Sequence, residues 1–474
     1  MGLPHLRLVL PAVLGLVLGQ PATAAADGNE AAFRETYREL VETDTTLAHG
    51  SCTLAAQKVA ARLRAAGFPE DRLIPFAAPD HPQEGGLVAI WPGTSASARP
   101  LLLLAHIDVV EARRADWTRD PFTLVEEGGY FYGRGTLDDK AMAAVFVDAM
   151  AGFARTRARP KRTIKLALTC GEETNGAFNG AQWLAENKRE LIDAAFALNE
   201  GGGGKTDGKP VAAGGRVLTQ GIEVGEKTFA SFRIETRNRG GHSSAPRPDN
   251  AIYQLAHALD RVEGYTFPVE FTDTTRVYFR TVGKARGDAL GKAMVALAQD
   301  PADRDALWTV DTDAFLHANI RTTCVATMID GGHAPKALPQ RAGATVNCRI
   351  FPGHGVEEIG KTLERVIGDP EVAVTALGPL RPTPPPPPLD ASVIDPARRL
   401  VARYFPGVPL VPSMANGYTD ATFLMAAGIP TYGVPGFWAD PDGNGVHGLN
   451  ERIEVRALMT GRAFLDDLIR AYAF

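Results

Sequence analysis

Two histidines and several acids, each placed directly after an apolar run, are the residues of this chain best suited to chemistry. His106 and Asp108 lie in LLLLAHIDVV. Four consecutive leucines belong in a buried strand, so the HxD pair emerges where that strand ends. A carboxylate near an imidazole can hold the ring in the tautomer a metal needs. TIKLALTCGEET repeats the layout with Glu172 and Glu173. Adjacent carboxylates repel, unless a cation takes one as ligand and leaves the other as a base. Glu200 ends AAFALNE and is followed by glycines that let the backbone approach closely. Asp138 and Asp139 in GRGTLDDK stand at the start of an apolar helix, where a carboxylate either caps free N–H groups or bridges two cations. His447 sits in the glycine-flanked loop NGVHGLNE. Nitrogen and oxygen donors without thiolate suit two zinc ions, with manganese or cobalt as alternatives.

The elements that must position these residues alternate. A helical pattern runs from about Phe33 to Gly67, followed by the strand-like LVAIW and PLLLLAHIDVV, a helix from about Lys140 to Arg155, TIKLALT, a helix around Gly180 to Leu191, and AAFALNE. Such alternation predicts an α/β fold with a mainly parallel sheet flanked by helices, whose ligands bind beyond the carboxyl ends of the strands. After Gly201–Gly204 the texture changes: FASFRIET, an Ala-rich helix, TTCVATMI and AGATVNCRIF predict a smaller sheet with helices on one face. The proline run 382–388 reads as an extended linker, and a last helix is expected from about Glu454 to Ala471. The expected organisation is a catalytic domain over 27–222 and 389–474, interrupted by an inserted domain over 223–381.

Composition narrows the partners. The 474 residues carry a net charge of −5 with interspersed signs, which leaves no basic stripe for nucleic acid and no polybasic membrane patch. A small-molecule substrate is expected. Arg7, an apolar run broken by Pro11, and Ala22-Thr23-Ala24 match a secretory leader over residues 1–24, and the apolar run is too short to span a bilayer. Export to the periplasm or medium, with no membrane attachment after processing, follows. Four cysteines (Cys52, Cys170, Cys324, Cys348) are too few for a disulfide framework, and buried thiols with at most one or two staples are expected.

HIDVV, WTRDPF, GRGTLDDK, CGEET, NEGGG, NRGGHSSAPRPDNAI, GGHAPKALPQ and VHG occur in that order over nearly all the mature chain. In this the sequence resembles the di-zinc metallopeptidase family that includes carboxypeptidase G, aminoacylase, carnosinase, carboxypeptidase S and succinyl-diaminopimelate desuccinylase, most closely the carboxypeptidase S branch. The resemblance implies a phosphorylase/hydrolase-like catalytic domain with an inserted α+β lid that mediates homodimerisation. It implies that Asp138 bridges two metals, that His106 and Glu200 complete one site and Glu173 and His447 the other, that Asp108 orients His106, and that Glu172 is the general base. In the lid it assigns His242 to the scissile carbonyl, reaching the partner subunit's site, and Arg349 to the substrate carboxylate. Lys336 stands where relatives often carry Asn. The expected activity is that of a carboxypeptidase or dipeptidase cutting an amide bond beside a free carboxylate. The rival readings are an N-acyl-amino-acid amidohydrolase and a catalytically silent binding homologue, the latter disfavoured by Glu172 beside a full ligand set.

Overall fold

The computed structural model of the chain describes residues 23–174 and 178–474, so the expected leader lies, up to residue 22, outside the described residues. A nine-stranded sheet carries the larger core. Its middle is parallel: Ile164–Thr169 pairs with Leu101–His106, which pairs with Phe196–Asn199, which pairs with Thr431–Gly433. Beyond these, Gly86–Trp91 and then Leu73–Phe76 extend one edge in antiparallel fashion. On the other side Val217–Glu226 pairs antiparallel with Thr431–Gly433 and parallel with Leu410–Ala415. Leu101–His106 and Ile164–Thr169 are buried throughout, as strands covered on both faces must be. The helix Lys140–Thr156 packs on one face with most of its circumference buried, together with the terminal helix Val455–Ala473. This is the mixed α/β layering read from the sequence.

A second, wholly antiparallel sheet runs in the order Thr323–Gly331, Arg341–Ile350, Thr228–Arg237, Ala373–Leu377. Burial alternates along Thr228–Arg237 because helices Ala251–Glu263 and Val356–Ile367 cover only one face. Four further helices between Asp273 and Asn319 enclose Phe279, Met294 and Leu297, and the first of them, Asp273–Arg286, leans on the strand Leu410–Ala415. The proline run is tied down at its ends: Thr228 Oγ1 donates to Pro382 O at 2.8 Å and the Tyr432 hydroxyl to Pro388 O at 2.9 Å.

Two readings change. The pattern from Phe33 to Gly67 is not one helix but two, Thr23–Glu42 and Cys52–Ala65. Between them Asp44 Oδ1 takes the Thr46 N–H and hydroxyl, and Thr45 Oγ1 donates to Ile107 O, so side chains compete for the hydrogen bonds a helix would need. Apolar spacing alone could not reveal this, because the two helices keep similar periodicity.

The cysteines are not buried thiols. Cys52 bonds Cys170 and Cys324 bonds Cys348, leaving no free cysteine. The first bridge joins the start of a helix to the residue just before Gly171-Glu172-Glu173, and 118 residues separate its ends. Loop entropy predicts that a Cys52→Ala/Cys170→Ala chain loses roughly 2–5 kcal/mol of stability, more than the counterpart lacking the 24-residue bridge. Urea-unfolding midpoints of the two variants check this; equal midpoints would mean that the long bridge contributes little.

Candidate metal centre

Every expected ligand except His447 leaves a strand end or the loop before the apolar helix, and His447 comes from the C-terminal loop. His106 is the last residue of Leu101–His106, Glu172 and Glu173 follow Ile164–Thr169, and Glu200 follows Phe196–Asn199. These are the carboxyl ends of parallel strands, where open sheets bind ligands. Asp138 precedes the helix Lys140–Thr156.

Asp138 stands between the two histidines. Its Oδ1 lies 3.1 Å from His106 Nε2 and its Oδ2 3.1 Å from His447 Nε2. Glu200 Oε1 is 3.6 Å from His106 Nε2, and Glu173 Oε1 is 2.8 Å from His447 Nε2. Donor atoms of His106, Asp138 and Glu200 all fall within 4.8 Å of one another, as do those of Asp138, Glu173 and His447. Two donor sets sharing one carboxylate fit a pair of divalent cations. His106, Glu172 and Glu173 form another such group, while Cys52, Asp108 and Cys170 do not qualify because the sulfurs are bonded to each other.

The helix-cap reading of the acid pair fails: Asp139 occupies the N-cap without a side-chain cap bond, and its Oδ2 is buried with no partner among the described residues. Asp108 ties two strand ends together. His106 Nδ1 is 3.2 Å from its carbonyl oxygen and 3.5 Å from its Oδ1, while its Oδ2 accepts the Glu173 N–H at 3.0 Å.

The electrostatics are those of a site short of positive charge. Burial first, then the charge of Glu200, pushes the Asp139 and Glu172 carboxyls well above their usual range. Burial pushes Glu200 up to about 7 and Asp420 up to about 6. Burial also opposes ionisation of Asp138, but hydrogen bonds from His106 and His447 hold it below the usual range. Contact with Asp138 and Glu173 raises His447 to about 10. A cluster in which carboxylates raise one another is what bound cations would neutralise.

The remaining expected residues lie elsewhere. His242 is exposed on a two-residue strand paired with Ala337 and Leu338, beside Lys336, whose carbonyl accepts the Ser243 N–H at 3.1 Å. It belongs to none of the ligand groups. The Ser244 backbone N–H donates to His242 Nδ1 at 3.1 Å. An amide N–H can only donate, so Nδ1 is the acceptor nitrogen and the ring proton sits on Nε2. Arg349 is half-buried on Arg341–Ile350, opposite Phe229.

Sequence reasoning missed two buried acids. Glu451 accepts from the backbone N–H of Gly135 at 2.9 Å, Leu137 at 2.9 Å and Asp138 at 3.1 Å, and from Arg134 Nη1 at 2.8 Å. It thereby joins the Asp138 loop to the His447 loop. Asp420 accepts from Thr169 Oγ1 at 2.9 Å and from Asn179 Nδ2 at 2.7 Å beneath the Glu172 loop. The only signal for Glu451 was its place four residues after His447.

Beside Asp138 and Glu200 opens a cavity of about 330 Å³, largely apolar, lined by Leu137, Met142, Phe437, Trp438 and the glycines after Glu200.

Residues 102–471 match the model of the family described as Peptidase family M20/M25/M40. Human N-fatty-acyl-amino acid synthase/hydrolase PM20D1 is 30% identical over 390 residues, covering 80% of this chain and 75% of its own length. Carboxypeptidase S-like 2 of Dictyostelium discoideum is 28% identical over 377 residues, covering 78% and 71%. The M20 family metallo-carboxypeptidase Sso-CP2 of Sulfolobus solfataricus superposes with a TM-score of 0.68 at 18% identity, over 93% of this chain and 99% of that one.

Proposed function

This chain belongs to peptidase family M20/M25/M40, and from that premise we propose that it is a di-metal hydrolase, zinc its first candidate metal, cutting a peptide or amide bond beside a free carboxylate. The observation that carries the reading is the shared Asp138, with one oxygen directed to each histidine-containing donor set and Glu172 alongside. His106, Asp138 and Glu200 would hold one cation; Asp138, Glu173 and His447 would hold the other. Bound cations would acidify a water and polarise the scissile carbonyl.

The chain's own groups do the rest. Glu172 accepts the proton of the attacking water and returns it to the leaving amine. Asp108 fixes the His106 ring. His242, whose Nδ1 is engaged by Ser244, leaves Nε2–H as a donor suited to a developing oxyanion. Its exposure outside the ligand groups fits a role in a partner subunit's site. Arg349 grips the substrate carboxylate through its planar fork of N–H groups.

Dimerisation through the inserted domain, 223–381, is supported by the edge strand Thr323–Gly331, where Val325, Met328 and Ile329 are 62%, 69% and 70% exposed. Unpaired apolar edges are a liability that a partner strand removes. Export is supported by the two disulfides and by the leader-like residues 1–24. Among the described residues no helix is long and apolar enough to cross a membrane.

A second reading, hydrolysis of N-acyl amino acids, is favoured by the apolar cavity. It opens beside Asp138 and Glu200 and could receive an acyl chain extending beyond the scissile carbonyl. The similarity to PM20D1 supports it.

One panel tests both. Metal-loaded protein is offered dipeptides, longer peptides and N-acyl amino acids of increasing chain length, each as free acid and as amide. Free acids should be hydrolysed, their amides scarcely, and a chelator should abolish turnover. If acyl chains enter the cavity, kcat/KM should climb about threefold to fourfold per added methylene until the space is filled. Chelator-resistant turnover, or equal use of acids and amides, would defeat the proposal.

A further inference from the structure

Arg349 and a second arginine, Arg381, converge on one aromatic ring. Their guanidinium carbons lie 5.1 Å and 4.6 Å from the Phe229 centroid. Arg381 also lies 3.9 Å from the centroid of Tyr418, whose ring meets Phe229 edge-on, 5.7 Å away at 89°. All four side chains are partly exposed, although Arg381 Nη1 and the Tyr418 hydroxyl oxygen are themselves buried. The cluster also bridges the two sheets. Phe229 and Arg349 are register partners in the smaller sheet, whereas Tyr418 comes two residues before Asp420, which holds Thr169 beneath the Glu172 loop.

Like charges are not brought together without cost. Burial, and then the charge of Arg381, lower the pKa of Arg349, and among the described residues no ion pair of Arg349 offsets this. Cation–π contact with one ring compensates in part. A carboxylate lying between the two forks would offset their repulsion, since guanidinium groups bind planar anions through parallel N–H bonds.

We propose that Arg381 is a second carboxylate-reading residue, gripping the substrate's free carboxylate jointly with Arg349 over the shared Phe229 ring. This rests on the reading of Arg349 given above and adds a residue on the segment that leads into the proline run. Tyr418 then acts as a wall that keeps the Arg381 fork turned toward Phe229.

The test is calorimetric titration of metal-loaded Glu172→Gln protein, which should bind without turning over, with N-acetyl-L-leucine and N-acetyl-L-leucinamide. The same titrations follow in that background with Arg381→Met, Arg381→Lys or Arg349→Ala. The parent should prefer the acid. Arg381→Met, which keeps an apolar chain against both rings, should weaken acid binding about tenfold or more while leaving the amide within about twofold, and Arg381→Lys should recover part of the loss. An equal loss on acid and amide would mark Arg381 as merely structural and overturn the proposal. So would a preference for the acid that vanishes in Arg349→Ala but survives in Arg381→Met. A parent that does not distinguish acid from amide would overturn the Arg349 reading as well.

Discussion

Glu172→Gln protein is expected to bind metal like the wild type and to lose turnover by roughly 10³–10⁴-fold, the upper part of the range for general acid–base catalysis. A carboxamide has the size of the carboxylate but cannot accept a proton at neutral pH. The loss should be large because one group serves both transfers, from water and to the leaving amine. Glu172 is not among the donors of either Asp138-containing set, so the exchange leaves those sets intact. The check pairs kcat with metal content measured by elemental analysis. Activity within a few-fold of wild type would remove Glu172 from the proton path, and metal loss would make it a ligand.

The second large effect is expected away from the reacting atoms. Glu451→Ala should cost about 3–5 kcal/mol, because it strands the charge of Arg134, only 2% exposed, and leaves three backbone N–H groups without their acceptor. One of those groups belongs to Asp138, so the substitution should also lower metal occupancy. Glu451→Gln keeps an acceptor oxygen and should fall between the variant and the wild type. Denaturant midpoints and metal stoichiometry read the two effects separately. A midpoint matching wild type would show that the Arg134–Glu451 pair contributes nothing to the fold.

These two acids mark what was and was not legible in the sequence. Glu172 could be found because its chemistry and its place coincide: an apolar strand, a glycine, then paired acids. His106 and Glu200 follow the same rule, and the parallel centre of the sheet follows from the alternation that carries them. Glu451 and Asp420 could not be found that way. A single acid in a loop reads as solvated, and what makes it matter is burial against partners more than 200 residues away. The Cys52–Cys170 pair was hidden for a similar reason, since pairing over 118 residues leaves no trace in local spacing. The split of the first long helical pattern was hidden differently: the break is made by the hydrogen-bonding habits of Asp44, Thr45 and Thr46, not by any lapse in apolar periodicity. Arg381 precedes the proline run that read as a linker, so only packing against Phe229 and Tyr418 distinguishes it.

The strand Thr431–Gly433 lies in the interior of the large sheet, between Phe196–Asn199 and Val217–Glu226, not at an edge. For a chain that emerges N-terminus first, this sets an order of events. Until residues 431–433 emerge, Phe196–Asn199 has an unfilled flank, His447 has not been made, and Glu451 cannot hold the Asp138 loop. Everything synthesised earlier can collapse, but it collapses around a gap with an open strand edge, a state exposed to mispairing. A chain cut short before this strand therefore carries His106, Asp138, Glu172, Glu173 and Glu200 but neither His447 nor the carboxylate that holds the Asp138 loop.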